Sequence, residues 1–203
     1  MNIDKLILHV PGLMSKWHCD NIIDYYKSQK ATAKYEGSYN VKTEGWSETT
    51  FKVVDLQPDT LPGQIVHDFT GKMIDNWCNV LYSRQIYHIM RPLLNFPHRH
   101  RILCYEEGTS IHQHIDWDHF IHGSCTFNLN DDYEGGIFSF FDGQLQYKLG
   151  LGDALIFPAT PYWAHEVTPI TKGTRYSTNT FITSMPEELR LEFVKKANEF
   201  IPK

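Results

Sequence analysis

The run HQHIDWDHF, His112 to Phe120, places three histidines and two aspartates in nine residues. Imidazole nitrogens and carboxylate oxygens are transition-metal ligands. On an extended strand, residues i and i+2 point to the same face. The spacing therefore predicts His112, His114 and Asp116 on one side, with Ile111, Ile115 and Trp117 on the other. A third ligand must come from elsewhere, and PYWAHEVTP supplies His165 in a later strand. Two histidines and one carboxylate on one side of a metal leave the opposite positions open, the ligand set of non-haem Fe(II) oxygenases. A lone histidine is more often a satisfied core or surface side chain; the paired features outweigh that reading. Ten residues beyond His165 stands Arg175, in GTRYS. The intervening TPITKG reads as a turn, which predicts a strand folding back beside that of His165. Arg175 could grip a dicarboxylate with a two-pronged hydrogen bond, and Ser177 on the same face adds a hydroxyl.

These residues need a scaffold. From about Arg101 to Thr183 short strands alternate with Gly, Pro, Asp and Asn: RILCY, SCTFNLN, GIFSF, LQYKL, DALIFP, WAHEV and TRYSTNTFIT. Such spacing predicts an all-β sandwich or barrel. Before it, Ser15 caps a helix to about Lys30 with Trp17, Ile22, Ile23 and Tyr26 on the apolar side. ETTFKVVDL reads as a strand. Pro62 opens a second helix with Ile65, Phe69, Met73, Ile74, Trp77 and Leu81 at helical spacing. At the end, Ser184 and Glu187 form a capping box for a helix with Leu189, Phe193, Ala197 and Phe200 in one stripe. The expected organisation is a single domain over 1–203: helical support in 1–95, the β core in 96–183, and a closing helix in 184–203.

Composition restricts the alternatives. The chain has 203 residues, 41% hydrophobic and 21% charged, which is globular composition. A net charge of −5 argues against a general grip on nucleic acid. The four cysteines are scattered without a C-x-x-C, as in reduced thiols of an intracellular protein. The amino-terminal run Leu6 to Val10 is too short for a signal sequence, and no apolar stretch has the length of a membrane span. The expectation is a cytoplasmic protein. The stretch Ser83 to Arg101 has no acidic residue and could receive an acidic or nucleic-acid substrate; by default it reads as a solvated basic face.

The run YEEGTSIHQHID resembles the Y-x-x-G…H-x-D segment of Fe(II)- and 2-oxoglutarate-dependent dioxygenases. NLNDDYEGGIFSF resembles their L-N-x-x-Y-x-G-G-x-F hairpin in the prolyl 4-hydroxylase-like branch. LGDALIFPATPYWAHEVTPITKGTRYS resembles their G-x-x-x-x-F-P…H-x-V…G-x-R-Y segment, and LHVPGLMSKWHCDNII the entry strand and first helix. The resemblance implies a mainly β fold with flanking helices (α+β), built on a double-stranded β-helix, or jelly roll. N-terminal helices pack on that core and a C-terminal helix closes it. It implies Fe(II) held by His114, Asp116 and His165, with 2-oxoglutarate anchored by Arg175. Tyr105 and Asn128 fall at co-substrate positions, where some members carry a tyrosine in place of Asn128, and Trp163 at the substrate mouth. Dioxygen is the oxidant and ascorbate the reductant. The implied reaction hydroxylates a prolyl residue or proline-like amino acid and releases succinate and carbon dioxide. Retention of Asp116 favours hydroxylation, because family halogenases replace this carboxylate with a small residue.

Two alternatives stand beside it. One is the same chemistry on a different amino acid or small metabolite. The other is a cupin-like metal-binding protein without 2-oxoglutarate, suggested by His112-x-His114 and by Gly152 to Pro158. A cupin expects a glutamate soon after H-x-H, and none is there. His98, His100, His112, His119 and His122 crowd the approach to the site without an assigned role. The partner is a peptide or a small molecule, and the oligomeric state is open.

Overall fold

The computed structural model describes residues 3–82, 84–116, 121–186, 188–189 and 191–192. In chain order the elements begin with β1 (Leu8–Val10), α1 (Lys16–Ser28), β2 (Gly37–Asn40), β3 (Gly45–Glu48), β4 (Lys52–Asp55) and α2 (Leu61–Leu81). There follow α3 (Arg84–Met90), β5 (Phe96–Tyr105), β6 (Ile111–His114), β7 (Ile121–Asn128), β8 (Glu134–Gly135) and β9 (Phe138–Phe140). The chain continues through β10 (Leu145–Tyr147), β11 (Ala154–Pro158), β12 (His165–Val167), β13 (Ile170–Lys172) and β14 (Arg175–Thr183).

Both long helices start where their caps place them. Ser15, in extended backbone, precedes α1 and its N–H donates to His18 Nδ1 at 3.3 Å. Thr60 Oγ1 accepts from Gly63 N–H at the start of α2, with Pro62 in the first turn, where its missing N–H costs nothing. Cys19, Ile22, Ile23 and Tyr26 form the buried stripe of α1. Trp17, expected on that stripe, is 57% exposed. At 100° per residue it points about opposite the stripe's centre. Ile65, Phe69, Met73, Ile74 and Trp77 of α2 are buried as their spacing predicts, and Trp77 Nε1 donates to Leu6 O at 2.9 Å.

Antiparallel pairing builds a six-stranded sheet in the order β1-β11-β7-β14-β5-β4 and a four-stranded sheet β10-β9-β12-β6. Between its bulges the large sheet alternates. Ile102, Cys104, Cys125, Phe127, Ala154 and Ile156 face α1 and α2 in one core, whereas Leu155 and Phe157 meet Phe138, Phe140 and Val167 of the small sheet in another. Each large apolar side chain buried this way stabilises by roughly 1.5–3 kcal/mol. The architecture is mainly β with flanking helices, the expected jelly-roll class.

Three expectations change. The N-terminal part is more than helical support, since β1 and β4 edge the large sheet and β2 pairs with β3 in a separate hairpin. The strand carrying Arg175 does not lie beside that of His165: β12 belongs to the small sheet and β14 to the large one, between β7 and β5. The segment after β12 thus carries the chain from one sheet to the other. Of the closing helix, residues 188–189 and 191–192 are helical, and Phe193, Ala197 and Phe200 lie outside the described residues. No helix among the described residues is long and apolar enough to cross a membrane.

Candidate metal centre

A cavity of about 770 Å³ opens between the two sheets, and the predicted chemistry lies along it. His114 ends β6 and pairs with His165 at the start of β12. Two residues further along β12, Val167 pairs with Ile111, three residues back on β6. This bulge inserts one extra residue into β6, so Ile111 and His114 both line the cavity. Simple alternation had placed His112 beside His114 and Ile111 on the other face. Instead His112 does not line the cavity, and its Nε2 is buried without a hydrogen-bond partner.

His114, Asp116 and His165 bring one ligand atom each within 4.8 Å of one another. His114 Nδ1 lies 2.9 Å from His112 O, and His165 Nδ1 lies 3.0 Å from Trp163 O. A carbonyl only accepts, so both Nδ1 atoms carry the proton and both Nε2 atoms present lone pairs. Those Nε2 atoms stand 3.4 and 3.5 Å from the two oxygens of Asp116. Burial opposes ionisation of Asp116, but His165, His114 and the Ser124 hydroxyl outweigh it and hold the carboxyl well below the usual range. Ser124 Oγ donates to Asp116 Oδ2 at 2.6 Å. Burial, then the neighbouring His114, lowers His165 to about 4, so it is neutral at pH 7. Phe138 stacks on its ring at 5.2 Å and Phe157 meets it edge-on at 4.8 Å, which fixes its orientation. Three electron-pair donors face one another with no proton between them. A cation relieves that repulsion, so these residues fit a metal ion.

Arg175, Ser177 and Asn179 follow one another at every second position of β14 and all line the cavity. Arg175 is almost fully buried, and its Nε donates to Asn128 Oδ1 at 3.0 Å. Its Cζ sits 5.1 Å from the Tyr105 ring centre, and Tyr105 stacks on Phe51 at 4.3 Å. Burial pushes the Tyr105 phenol up to about 12, so it stays protonated. Gly136 lies behind the guanidinium with φ +64°; a Cβ there would meet Arg175 Cδ at 3.0 Å and Ile170 Cδ1 at 2.7 Å. The second glycine of the Y-x-G-G run thus leaves room for Arg175.

Two expected site residues stand elsewhere. Asn128, placed among the co-substrate contacts, does not line the cavity. Its amide donates to the carbonyls of Asn130, Leu149 and Gly150, and its oxygen accepts from Arg175 and Tyr133, so it props the arginine from behind. Trp163, expected at the mouth, packs against Phe140 and Phe141 in the core between the sheets. It serves the site through its backbone carbonyl alone.

The basic stretch before Arg101 is not a plain solvated face. Arg99 and Arg101 line the cavity's other end, with Glu36 and the β2–β3 hairpin residues Tyr39 and Trp46. The absence of acidic residues left a substrate-facing role open, but the partner of both arginines, Glu36, precedes them by more than sixty residues and so gave no local signal. His98 and His100 do not line the cavity. His100 is buried against His67 and Thr180, at 3.2 and 2.8 Å. His122 is exposed, and His119 lies outside the described residues.

Residues 100–183, which include every proposed ligand, match the 2OG-Fe(II) oxygenase superfamily. Over 202 aligned residues the chain is 26% identical to a PKHD-type hydroxylase from Pseudomonas fluorescens, covering 90% of this chain and 80% of that protein. Its fold is similar to that of a Trichoplax adhaerens prolyl hydroxylase solved with a hypoxia inducible factor oxygen degradation domain peptide fragment. There the TM-score is 0.66 at 12% identity, over 89% of this chain and 84% of the other. A Pseudomonas putida prolyl-4-hydroxylase gives a TM-score of 0.65 at 15% identity, over 91% and 97%. The jelly roll and the matched segment make the chain similar to enzymes of the 2OG-Fe(II) oxygenase superfamily. Within it the fold is similar to that of the solved prolyl hydroxylases.

Proposed function

We propose that this oxygenase holds Fe(II) at His114, Asp116 and His165, binds 2-oxoglutarate through Arg175, and hydroxylates a prolyl residue or proline-like amino acid. One dioxygen and one 2-oxoglutarate are consumed for each C–H converted to C–OH, with release of succinate and carbon dioxide. The observation that carries the metal assignment is the convergence of two imidazole lone pairs on an ionised, buried carboxylate. When bound, Fe(II) with 2-oxoglutarate supplies dioxygen activation driven by decarboxylation of the keto acid.

The chain's own residues position and shield. The two backbone carbonyls hold the imidazoles with Nε2 inward, and the Ser124 hydroxyl fixes Asp116. With Nε occupied by Asn128, the terminal amino groups of Arg175 are left for the distal carboxylate of the keto acid. Tyr105 and Ser177 add neutral hydroxyls on the same wall. Phe138 and Phe157 keep water from the inner side of His165. No side chain has to act as a general base. The hydroxylase names of the relatives support the reaction type, and the prolyl hydroxylases of similar fold support the substrate class.

Iron content tests the assignment. Wild-type protein reconstituted with Fe(II) should hold one iron per chain, and His114→Ala and His165→Ala should each lose it. Iron at wild-type level in both variants would remove the metal centre from this place and the proposed chemistry with it.

A further inference from the structure

The proposed chemistry uses the end of the cavity near Arg175 and leaves the opposite end unexplained. There the Arg101 side chain is only 10% exposed and sits over the Phe181 ring, its Cζ 4.8 Å from the ring centre. One terminal nitrogen donates to Glu36 and the other to Asn179. Its Nε is buried with no hydrogen-bond partner, an expensive omission for a charged donor. Arg99 also reaches Glu36, at 3.3 Å, so two guanidinium groups share one carboxylate. Arg99 occupies a left-handed backbone conformation, φ +53°, within a bulge where β5 slips one residue against β14. Outside glycine that conformation is strained, because Cβ crowds the following carbonyl oxygen, and such strain concentrates at ligand sites.

Hydrogen bonds tie this end to the metal centre. Arg101 donates to Asn179, Asn179 Nδ2 donates to Ser124 Oγ at 3.4 Å, and Ser124 donates to Asp116. A group held on Arg101 is therefore linked through three side chains, Arg101, Asn179 and Ser124, to the carboxylate that faces the metal. We propose that Arg101, assisted by Arg99, is the anchor for a carboxylate on the substrate, which presents a nearby C–H to the centre. The carboxylate belongs either to an amino acid or peptide C-terminus, or to an aspartyl or glutamyl side chain. Glu36 holds the two arginines in place and its charge competes with the incoming anion. The assignment rests on the oxygenase reading and adds the substrate class to it.

The test uses the protein loaded with Fe(II) and 2-oxoglutarate, dioxygen excluded, and calorimetric titration with N-acetyl amino acids, each as free acid and as α-amide. A lost charge-assisted contact weakens binding about ten- to a hundredfold. Acids binding by that factor over their amides identify an α-carboxylate. Amides of only Asp and Glu binding tightly identify a side-chain carboxylate, and either result supports the anchor. Arg101→Gln and Arg99→Gln should erase the preference while the 2-oxoglutarate dissociation constant stays unchanged. Arg99, with a half-exposed side chain, carries the test should Arg101→Gln not fold. Glu36→Gln should tighten acid binding, whereas a purely structural ion pair predicts weaker binding. Equal affinity for acids and amides, no binding of either, or a preference that survives in both arginine variants would overturn the anchor and leave the oxygenase standing. Failure of the wild type to bind 2-oxoglutarate would instead overturn the oxygenase reading, and this inference with it.

Discussion

Replacing Arg175 by lysine keeps the positive charge and removes the fork. In the native site Nε is spent on Asn128 Oδ1 at 3.0 Å, so a ligand carboxylate has the two terminal amino groups to bridge. Lysine offers one compact ammonium in their place and cannot make two parallel contacts. Losing one charge-assisted hydrogen bond costs about 1.5–3 kcal/mol, which weakens 2-oxoglutarate binding roughly ten- to 150-fold. The Asn128 bond is lost as well, which lowers stability by about 1 kcal/mol. Asn128 Oδ1 still accepts from Tyr133, so the variant should fold. Isothermal titration of 2-oxoglutarate into metal-loaded protein without dioxygen reads the affinity, and urea unfolding reads the stability. An unchanged dissociation constant, alongside the expected stability loss, would show that the dicarboxylate is anchored elsewhere and that Arg175 is a structural arginine.

Gly136→Ala should act through Arg175. A Cβ on a backbone at φ +64° and 3.0 Å from Arg175 Cδ must displace the guanidinium, so 2-oxoglutarate affinity should fall by about tenfold or more, while iron stoichiometry stays at one. His100 is lowered to about 4 by burial and by the neighbouring His67 and His98, so it is neutral in the fold. The unfolded chain takes up its proton as the pH drops below the ordinary 6.5, and the native state does not until about 4. Stability from this group is therefore complete above 6.5 and lost across that window, about 2 kcal/mol of it between pH 7.5 and 5. Urea midpoints of wild type and His100→Gln should differ in pH slope accordingly; identical slopes would refute the burial argument.

The alternation of β-branched, aromatic and polar residues made the strands legible from Arg101 to Thr183, and helical spacing did the same for α2. The ligand candidates could be read from the H-x-D pair and the remote His165, although β6 ends at His114 and Asp116 stands two residues past it. What stayed hidden has common physical causes. A bulge carries no residue signal when the odd position is not glycine: Arg99 takes its left-handed conformation as an arginine, and Ile111 joins His114 through one extra residue in β6. The β2–β3 hairpin alternates too weakly, with Tyr39 and Trp46 both exposed, to announce itself. Asn128 and Trp163 sit within the site's motifs yet face away from the cavity, because proximity in sequence does not say which side of a strand or turn a side chain takes. Arg99 and Arg101 read as solvated because Glu36, which pairs with both, lies in a different element.

The most direct measurement is the mass of succinate formed when iron-loaded protein and 2-oxoglutarate are exposed to labelled dioxygen, in single-turnover amounts and with ascorbate present. This needs no knowledge of the hydroxylated substrate. The account predicts succinate carrying one labelled oxygen atom from the wild type, and none formed by His165→Ala. Iron-loaded wild type that makes no succinate, or succinate without label, would contradict it.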